Sequence, residues 1–275
     1  MKIAFSTLAC PQWPIEQTVE NAVRMGYTGI ELRLLGDKII DPVADYQEVV
    51  RVVNLSRAHG LDVCALDTSC QFNRSNPEER QQQVTDLLNW IRLAQDTHVP
   101  ILRVFGGANP STVFPQPTEV EVNTWVADSL QKVASFAESA SVTIVLETHD
   151  AFSSARRVAN VLQSVNSPNI AALWDSHHPY RVGESAQDVI AALNGRIGHV
   201  HIKDARRVTP QSADWQLVLL GEGEVPVQDQ LTLLKQHNYT GYISVEWEKK
   251  WHPEIPAPEV ALPQHIDWLK THHFL

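Results

Sequence analysis

Eight short apolar runs rich in Val, Ile and Leu alternate with segments of helical periodicity along the chain, and this alternation constrains the fold more than any other feature. The runs predict strands at Lys2–Ser6, Thr28–Leu32, Asp62–Leu66, Ile101–Phe105, Thr143–Leu146, Ile170–Leu173, Ile197–Ile202 and Tyr242–Val245. Between and after them, periodicity predicts helices at Ile15–Met25, Val43–His59, Pro77–Thr97, Glu119–Ala140, Ala151–Val165, Ser185–Leu193, Val227–His237 and Val260–Lys270. Eight alternations in 275 residues predict an α/β protein, a (β/α)8 TIM barrel forming a single domain over residues 1–275.

Composition and charge narrow the class of protein. The net charge of -10 argues against a nucleic-acid partner, because binding to phosphates needs clustered Lys and Arg. No apolar run approaches 18 residues, so no membrane span is expected. The three cysteines do not form a disulfide framework and are typical of a reducing compartment. We therefore expect a cytoplasmic protein.

Four polar side chains follow the last four apolar runs at the point where each strand should end. They are Glu147, Asp175, His201 and Glu246. The carboxyl ends of neighbouring barrel strands converge, and so these side chains should meet. Two Glu, one Asp and one His form a hard set of ligands, suited to a divalent cation such as Mn²⁺ or Mg²⁺.

The segments that carry these residues read LETHD, LWDSHH, HVHIKDAR and ISVEWE, and they resemble the xylose-isomerase-like barrel superfamily of sugar isomerases and epimerases. The resemblance implies that Glu147, Asp175, His201 and Glu246 bind one divalent metal. Mn²⁺ is favoured, with Mg²⁺, Co²⁺ and Zn²⁺ as alternatives. It also implies that Glu147 and Glu246 lie on opposite sides of the substrate and relay protons.

The same resemblance implies five further residues around the substrate: His178, Lys203, Arg207, His149 and Glu31. Several keep an alternative reading. Glu31 is equally suited to a structural ion pair with Arg33 or Arg103, and His149 to a structural role. His149 also stands where dehydratases of the superfamily carry a Glu-x-His.

Two departures from subfamily patterns limit what the resemblance implies. Ketose 3-epimerases carry a second Glu six residues after the Glu of the fifth strand, where this chain has Ser153. The endonuclease-IV branch needs further zinc ligands, but strands three and four end in ALDTSC and RVFGG, without His. Together with the net charge, this argues against DNA repair and favours a single metal.

The leading hypothesis is a divalent-metal-dependent isomerase or epimerase of a sugar or sugar acid. It would abstract a proton next to a carbonyl and pass through a metal-stabilised enediolate. The alternative is a metal-dependent dehydratase of a cyclic polyol ketone such as inosose or 3-dehydroshikimate, and a third reading is a non-catalytic sugar-binding or partner subunit. We expect a small carbohydrate substrate and, by resemblance, a homo-oligomer, either dimer or tetramer.

Overall fold

The computed structural model describes residues 1–109, 115–193 and 195–275. Its strands are β1 (Lys2–Ser6), β2 (Gly29–Leu32), β3 (Leu34–Leu35), β4 (Lys38–Ile39), β5 (Asp62–Gln71), β6 (Ile101–Phe105), β7 (Thr143–Glu147), β8 (Ile170–Asp175), β9 (Ile197–Ile202), β10 (Asp204–Arg207), β11 (Trp215–Val218) and β12 (Tyr242–Val245). Its α-helices are α1 (Ile15–Met25), α2 (Tyr46–Ala58), α3 (Pro77–Thr97), α4 (Glu119–Ala140), α5 (Ala155–Gln163), α6 (His178–Arg181), α7 (Ala186–Leu193), α8 (Val227–Gln236) and α9 (Pro258–Thr271).

Eight strands form one closed barrel in the order β1-β12-β9-β8-β7-β6-β5-β2. These are the eight strands that the apolar runs predict, and the (β/α)8 fold is confirmed. The recorded pairings between neighbours are parallel, for example β6 with β7 and β7 with β8. All six residues of β8 are buried, as expected for strands covered on both faces.

Two compact units are distinguished within the chain. The first comprises Met1–Asp41, Gln47–Cys64 and Val200–Leu275, and the second comprises Pro42–Tyr46 and Ala65–His199. The first unit contains β1 to β4, β10 to β12 and helices α1, α8 and α9, and the second contains β6 to β8 and helices α3 to α7. The residues of α2, β5 and β9 are divided between the two units. That the chain forms a single domain over residues 1–275 stays a prediction.

Helix boundaries follow local chemistry. α1, α3 and α4 begin and end where periodicity predicts. Thr118 and Glu121 close a reciprocal capping box at the start of α4. α5 begins four residues later than predicted, because Asp150–Phe152 forms a 3₁₀ turn and Ser154 caps the helix. α9 begins at Pro258 rather than Val260, with proline at its first position, where no backbone N–H is needed.

Three small elements were not predicted from the sequence. Leu34–Leu35 pairs with Lys38–Ile39 in a short hairpin, and β10 pairs with β11 in a second. The third element is the one-turn helix α6, which directly follows β8. Within the described ranges, no helix is long and apolar enough to cross a membrane.

Candidate metal centre

Glu147 is the last residue of β7, and its side chain is buried beside a guanidinium group. Nε of Arg103 lies 3.4 Å from Oε2 of Glu147, and a terminal nitrogen of Arg103 lies 3.5 Å from Oδ2 of Asp67. The guanidinium also stacks over the ring of Phe105 at 4.0 Å. Because all three charged side chains are buried, Arg103 compensates charge that water cannot reach and holds Glu147 in place.

Asp175 ends β8 and is fixed by hydrogen bonds to the backbone. Its Oδ1 accepts the N–H groups of His177 at 2.8 Å and His178 at 3.0 Å. Its own N–H donates to Oγ1 of Thr148 at 2.9 Å. The carboxylate thereby starts the turn that leads into α6, and its orientation is set before any ligand is bound.

His178 and His149 lie side by side. Their ring centroids are 4.4 Å apart in an edge-to-face arrangement, and His149 is 4.9 Å from the ring of Phe105. The hydrogen bond from Nδ1 of His149 lowers the pKa of Asp150 against the opposing effect of partial burial. The structure therefore brings together two histidines that the sequence analysis selected for separate reasons.

Ser153 stands where the ketose 3-epimerases carry a Glu, and here it has a local role. Its hydroxyl donates to the carbonyl of Asp150 at 2.8 Å and closes the 3₁₀ turn. The side chain is 6% exposed. The position therefore stabilises the backbone after β7.

His201 lies on β9 between two carboxylates. Nε2 of His201 is 2.9 Å from Oε1 of Glu31, and Nδ1 is 3.4 Å from Oε2 of Glu246. The side chains of His201 and Glu31 are fully buried. A carboxylate on one ring nitrogen fixes the tautomer and orientation of an imidazole that presents the other nitrogen to a metal. A structural role for Glu31 therefore involves His201, a partner other than Arg33 and Arg103, the two arginines that the sequence suggests.

Lys203 contacts two carboxylates. Its ammonium group donates hydrogen bonds to Oε2 of Glu246 and to Oε1 of Glu248. The Lys203 side chain is 1% exposed, so these charge-assisted bonds replace its hydration. The side chain that the resemblance assigns to the substrate is thus in direct contact with a candidate metal ligand.

Asp204 organises the loop that follows β11. Its carboxylate accepts four backbone N–H groups, those of Ala205, Gly221, Gly223 and Val225. Burial raises the pKa of Asp204, while these four hydrogen bonds act in the opposite direction. A Cβ at Gly223 would overlap the Asp204 carboxylate, which explains why this position is a glycine.

Arg207 lies at the exposed end of β10. Its guanidinium is 4.9 Å from the ring of Trp215 and donates to the carbonyl of Ser212 at 3.2 Å, while its N–H donates to Glu224 at 2.8 Å. These contacts belong to the β10–β11 hairpin. A substrate role for Arg207 stays a prediction.

Glu147 and Asp175 belong to the second unit and end the neighbouring strands β7 and β8. His201 and Glu246 belong to the first unit, where Nδ1 of His201 lies 3.4 Å from Oε2 of Glu246. All four residues are buried. These are the four strand-end residues that the sequence selected.

The donor set fits a divalent cation. In the second unit, the carboxylates of Asp67, Glu147 and Asp175 are buried. Arg103 forms ion pairs with two of them, Asp67 and Glu147. In the first unit, Lys203 and His201 adjoin Glu31, Glu246 and Glu248. Anionic groups removed from water need cationic partners, and three carboxylates with one imidazole suit Mn²⁺, Mg²⁺ or Zn²⁺.

Two residues at this site were missed as functional candidates. The sequence suggests Arg103 only as a partner of Glu31. An Arg at the centre of an apolar strand, here ILRVF, nevertheless indicates a charge partner inside the fold. Glu248 is the second missed residue. The pattern VEWE indicates it, because residues two apart in an extended chain, such as Glu246 and Glu248, point to the same side.

Comparison with known proteins agrees with this architecture. A fructoselysine 3-epimerase of Escherichia coli O157:H7 is 22% identical over 259 residues, which is 90% of each chain. The solved structure of the IOLI protein with a binding zinc atom superposes with a TM-score of 0.79 at 18% identity, covering 99% of this chain and 96% of that one. The probable 3-DHS dehydratase AsbF from Bacillus anthracis gives a TM-score of 0.76 at 18% identity, covering 98% and 99%.

A closed parallel barrel with carboxylates and an imidazole at successive strand ends defines a class of barrel proteins suited to metal binding. Residues 19–272 match the family described as xylose isomerase-like TIM barrel, and the chain belongs to that family. Its relatives include epimerases, isomerases and dehydratases.

Proposed function

We propose that this protein is a divalent-metal-dependent isomerase or epimerase that acts on a sugar or sugar acid. Two buried pairs of candidate ligands carry the proposal: Glu147 and Asp175 at the ends of β7 and β8, and His201 and Glu246, whose Nδ1 and Oε2 atoms are 3.4 Å apart. Mn²⁺ is the proposed metal. The epimerase among the relatives and the family match support this reaction class.

Each protein group has a defined task in this mechanism. A divalent cation at the four ligands would supply Lewis-acid stabilisation for negative charge on substrate oxygens. Glu147 and Glu246 relay protons: one, as a carboxylate, removes the proton from the carbon next to the carbonyl, and the other, in its protonated form at that step, delivers a proton to the neighbouring carbon or to the opposite face. Arg103 holds Glu147, and Lys203 holds Glu246, so both carboxylates are oriented before the substrate arrives.

The histidine pair has the substrate-facing role in this proposal. His178 begins α6 three residues after Asp175, and His149 follows two residues after Glu147. Their rings are 4.4 Å apart, and an imidazole can donate or accept a hydrogen bond. We assign them hydrogen bonds to substrate oxygens, together with Lys203, Arg207 and Glu31 as further candidates.

A dehydratase is the second candidate function, favoured by the same histidine pair. A lyase must protonate a leaving hydroxyl, and His149 beside His178 offers an acid for that step. The likeness to AsbF supports the fold alone, and the inosose dehydratase of Clostridium perfringens is 23% identical over 147 residues. Both reactions start with proton abstraction next to a carbonyl.

The deciding experiment incubates the protein with Mn²⁺ in D₂O, with a panel of ketoses and, separately, with inosose and 3-dehydroshikimate. Nuclear magnetic resonance follows deuterium incorporation and new products. The proposal expects exchange at the carbon next to the ketose carbonyl, with an isomeric sugar formed. Water loss from a cyclic ketone without ketose exchange would establish the lyase instead. Tight metal binding with no exchange in any polyol would support a non-catalytic sugar-binding subunit.

The proposal includes a homo-oligomer, dimer or tetramer, as the working state. Light scattering coupled to size-exclusion chromatography measures its mass against 30.8 kDa for one chain. A single species at the monomer mass would contradict this part.

A further inference from the structure

Glu248 shares a contact with Glu246, one of the proposed metal ligands. The family resemblance assigns no role to Glu248. Lys203 follows His201 by two residues, and Glu248 follows Glu246 by two. The Lys203 ammonium donates to both Glu246 and Glu248. The Glu248 side chain is 19% exposed, against 1% for Lys203, so Glu248 lies on the solvent side of this contact.

Glu246 and Glu248 lie two residues apart in the segment that directly follows β12, and both reach the Lys203 ammonium. The side chain of Trp247, which lies between them in the sequence, has other partners: its Nε1 donates to the carbonyl of Pro256 at 2.9 Å, and its ring lies 5.3 Å from that of His265.

The loop after Glu248 is also anchored. The N–H groups of Trp251 and His252 both donate to the carbonyl of Glu248 at 3.0 Å. Lys249 donates to the carbonyls of Pro253 and Ile255 at 2.6 and 2.5 Å. The backbone that carries Glu248 is therefore held on both sides.

We infer that Glu248 is a positioning residue for the metal site: it holds the Lys203 ammonium so that Glu246 keeps its charge and direction for the cation. This inference rests on the proposed function. A lysine has a flexible stem and three donors, so a single partner fixes it poorly. Shared between two carboxylates, the ammonium is both neutralised and located.

Removing the Glu248 charge leaves Lys203 with Glu246 as its remaining partner in this contact. The ammonium then competes with a metal ion for the same carboxylate and repels it at short range. Groups that orient metal ligands typically change affinity by roughly 10–100-fold when removed. We expect Glu248→Gln to weaken Mn²⁺ binding by about tenfold.

The test titrates Mn²⁺ into the full-length protein and measures free Mn²⁺ by electron paramagnetic resonance, without substrate. Glu248→Gln keeps the size of the side chain, and circular dichroism checks its fold. Glu20→Gln is the matched control, because it makes the same charge change at an exposed residue of α1. Glu254 is unsuitable, because its partner His252 also lies 3.8 Å from Glu248. The control should bind Mn²⁺ as the wild type does.

A second pair of variants tests whether Glu248 acts through Lys203. In a Lys203→Met background, adding Glu248→Gln should change Mn²⁺ affinity far less than it does in the wild type. Glu248→Asp, which keeps the charge, should recover part of the affinity, and this comparison serves if Lys203→Met does not fold. Equal effects of Glu248→Gln with and without Lys203 would overturn the inference.

The outcomes separate this inference from the proposed function. Wild-type affinity in Glu248→Gln, with binding lost in Glu246→Gln, overturns the positioning role alone. Absence of Mn²⁺ binding in the wild type, or normal binding in Glu246→Gln, overturns the proposed site and the inference with it. Weaker binding in Glu248→Gln but not in Glu20→Gln supports both.

Discussion

Oε1 of Glu31 lies 2.9 Å from Nε2 of His201, and both side chains are fully buried. The two residues are 170 positions apart in the chain and meet because their strands belong to one barrel. A carboxylate in this position raises the basicity of an imidazole ligand and fixes its ring. The contact therefore gives Glu31 an orienting role as an alternative to substrate binding.

Glu31→Gln should weaken Mn²⁺ binding by roughly tenfold, because the amide keeps the shape but removes the charge that orients His201. Mn²⁺ titration of the variant measures the effect. A raised Michaelis constant with unchanged metal affinity would return Glu31 to the substrate-binding set.

Glu246→Gln should abolish turnover and greatly weaken metal binding, because one proposed ligand and one proposed base are lost together. Metal content by atomic spectroscopy and deuterium exchange into a responsive ketose measure the two effects. Glu224→Gln, on an exposed loop where Glu224 accepts the N–H of Arg207, is the matched control. Near-wild-type turnover in Glu246→Gln would remove Glu246 from the site.

His178→Ala should raise the Michaelis constant or lower turnover, with the metal content unchanged. The reason is that His178 lies against His149 and follows a proposed ligand without belonging to the four-residue group. Steady-state kinetics and metal analysis check this, with the exposed His59→Ala as control. Loss of the metal would make His178 a ligand instead.

Arg103→Met should lower the free energy of unfolding by about 3–5 kcal/mol, because it leaves Asp67 and Glu147 buried without their guanidinium. Urea unfolding measures the loss. Mn²⁺ should restore part of the stability, since a cation that binds only the folded state stabilises it. A loss below about 1 kcal/mol would show that other groups compensate these carboxylates.

His265 should make stability depend on pH. Burial lowers the pKa of His265 from 6.5 to about 3, so the unfolded chain binds a proton that the folded chain does not. Its stabilising contribution is therefore full above pH 6.5 and is lost as the pH falls toward 3. Relative to pH 7, the loss at pH 5 is about 2 kcal/mol.

His265→Leu should remove this part of the pH dependence. Urea unfolding of each protein at pH 7 and pH 5 gives the difference within that protein, so any change in stability common to both pH values cancels. An equal difference in the variant and the wild type would assign the effect to other groups.

The sequence predicted the barrel well because each strand is buried on both faces and reads as a continuous apolar run, as β8 does. The first polar residue after the run located Glu147, Asp175 and Glu246, and His201 is the penultimate residue of β9. That all four bind one metal stays a prediction.

Side-chain pairing was beyond the sequence, because it depends on rotamers and on strands far apart in the chain. Lys203 illustrates this. A lysine can bind a substrate oxygen or a protein carboxylate, and the three-dimensional structure is needed to show its contacts with Glu246 and Glu248. The one-turn helix at His178 was missed because it is too short to show periodicity. The late start of α5 depends on a local 3₁₀ turn at Asp150.

Four backbone amides that converge on the Asp204 carboxylate make the base of the β10–β11 hairpin independent of its tip. The tip, residues 208–211, is exposed, and its own contacts are local. A short epitope grafted there would be displayed on a rigid stem while the strand carrying His201 kept its register. The tip of the β10–β11 hairpin is therefore a suitable attachment site for immobilising the protein on a surface.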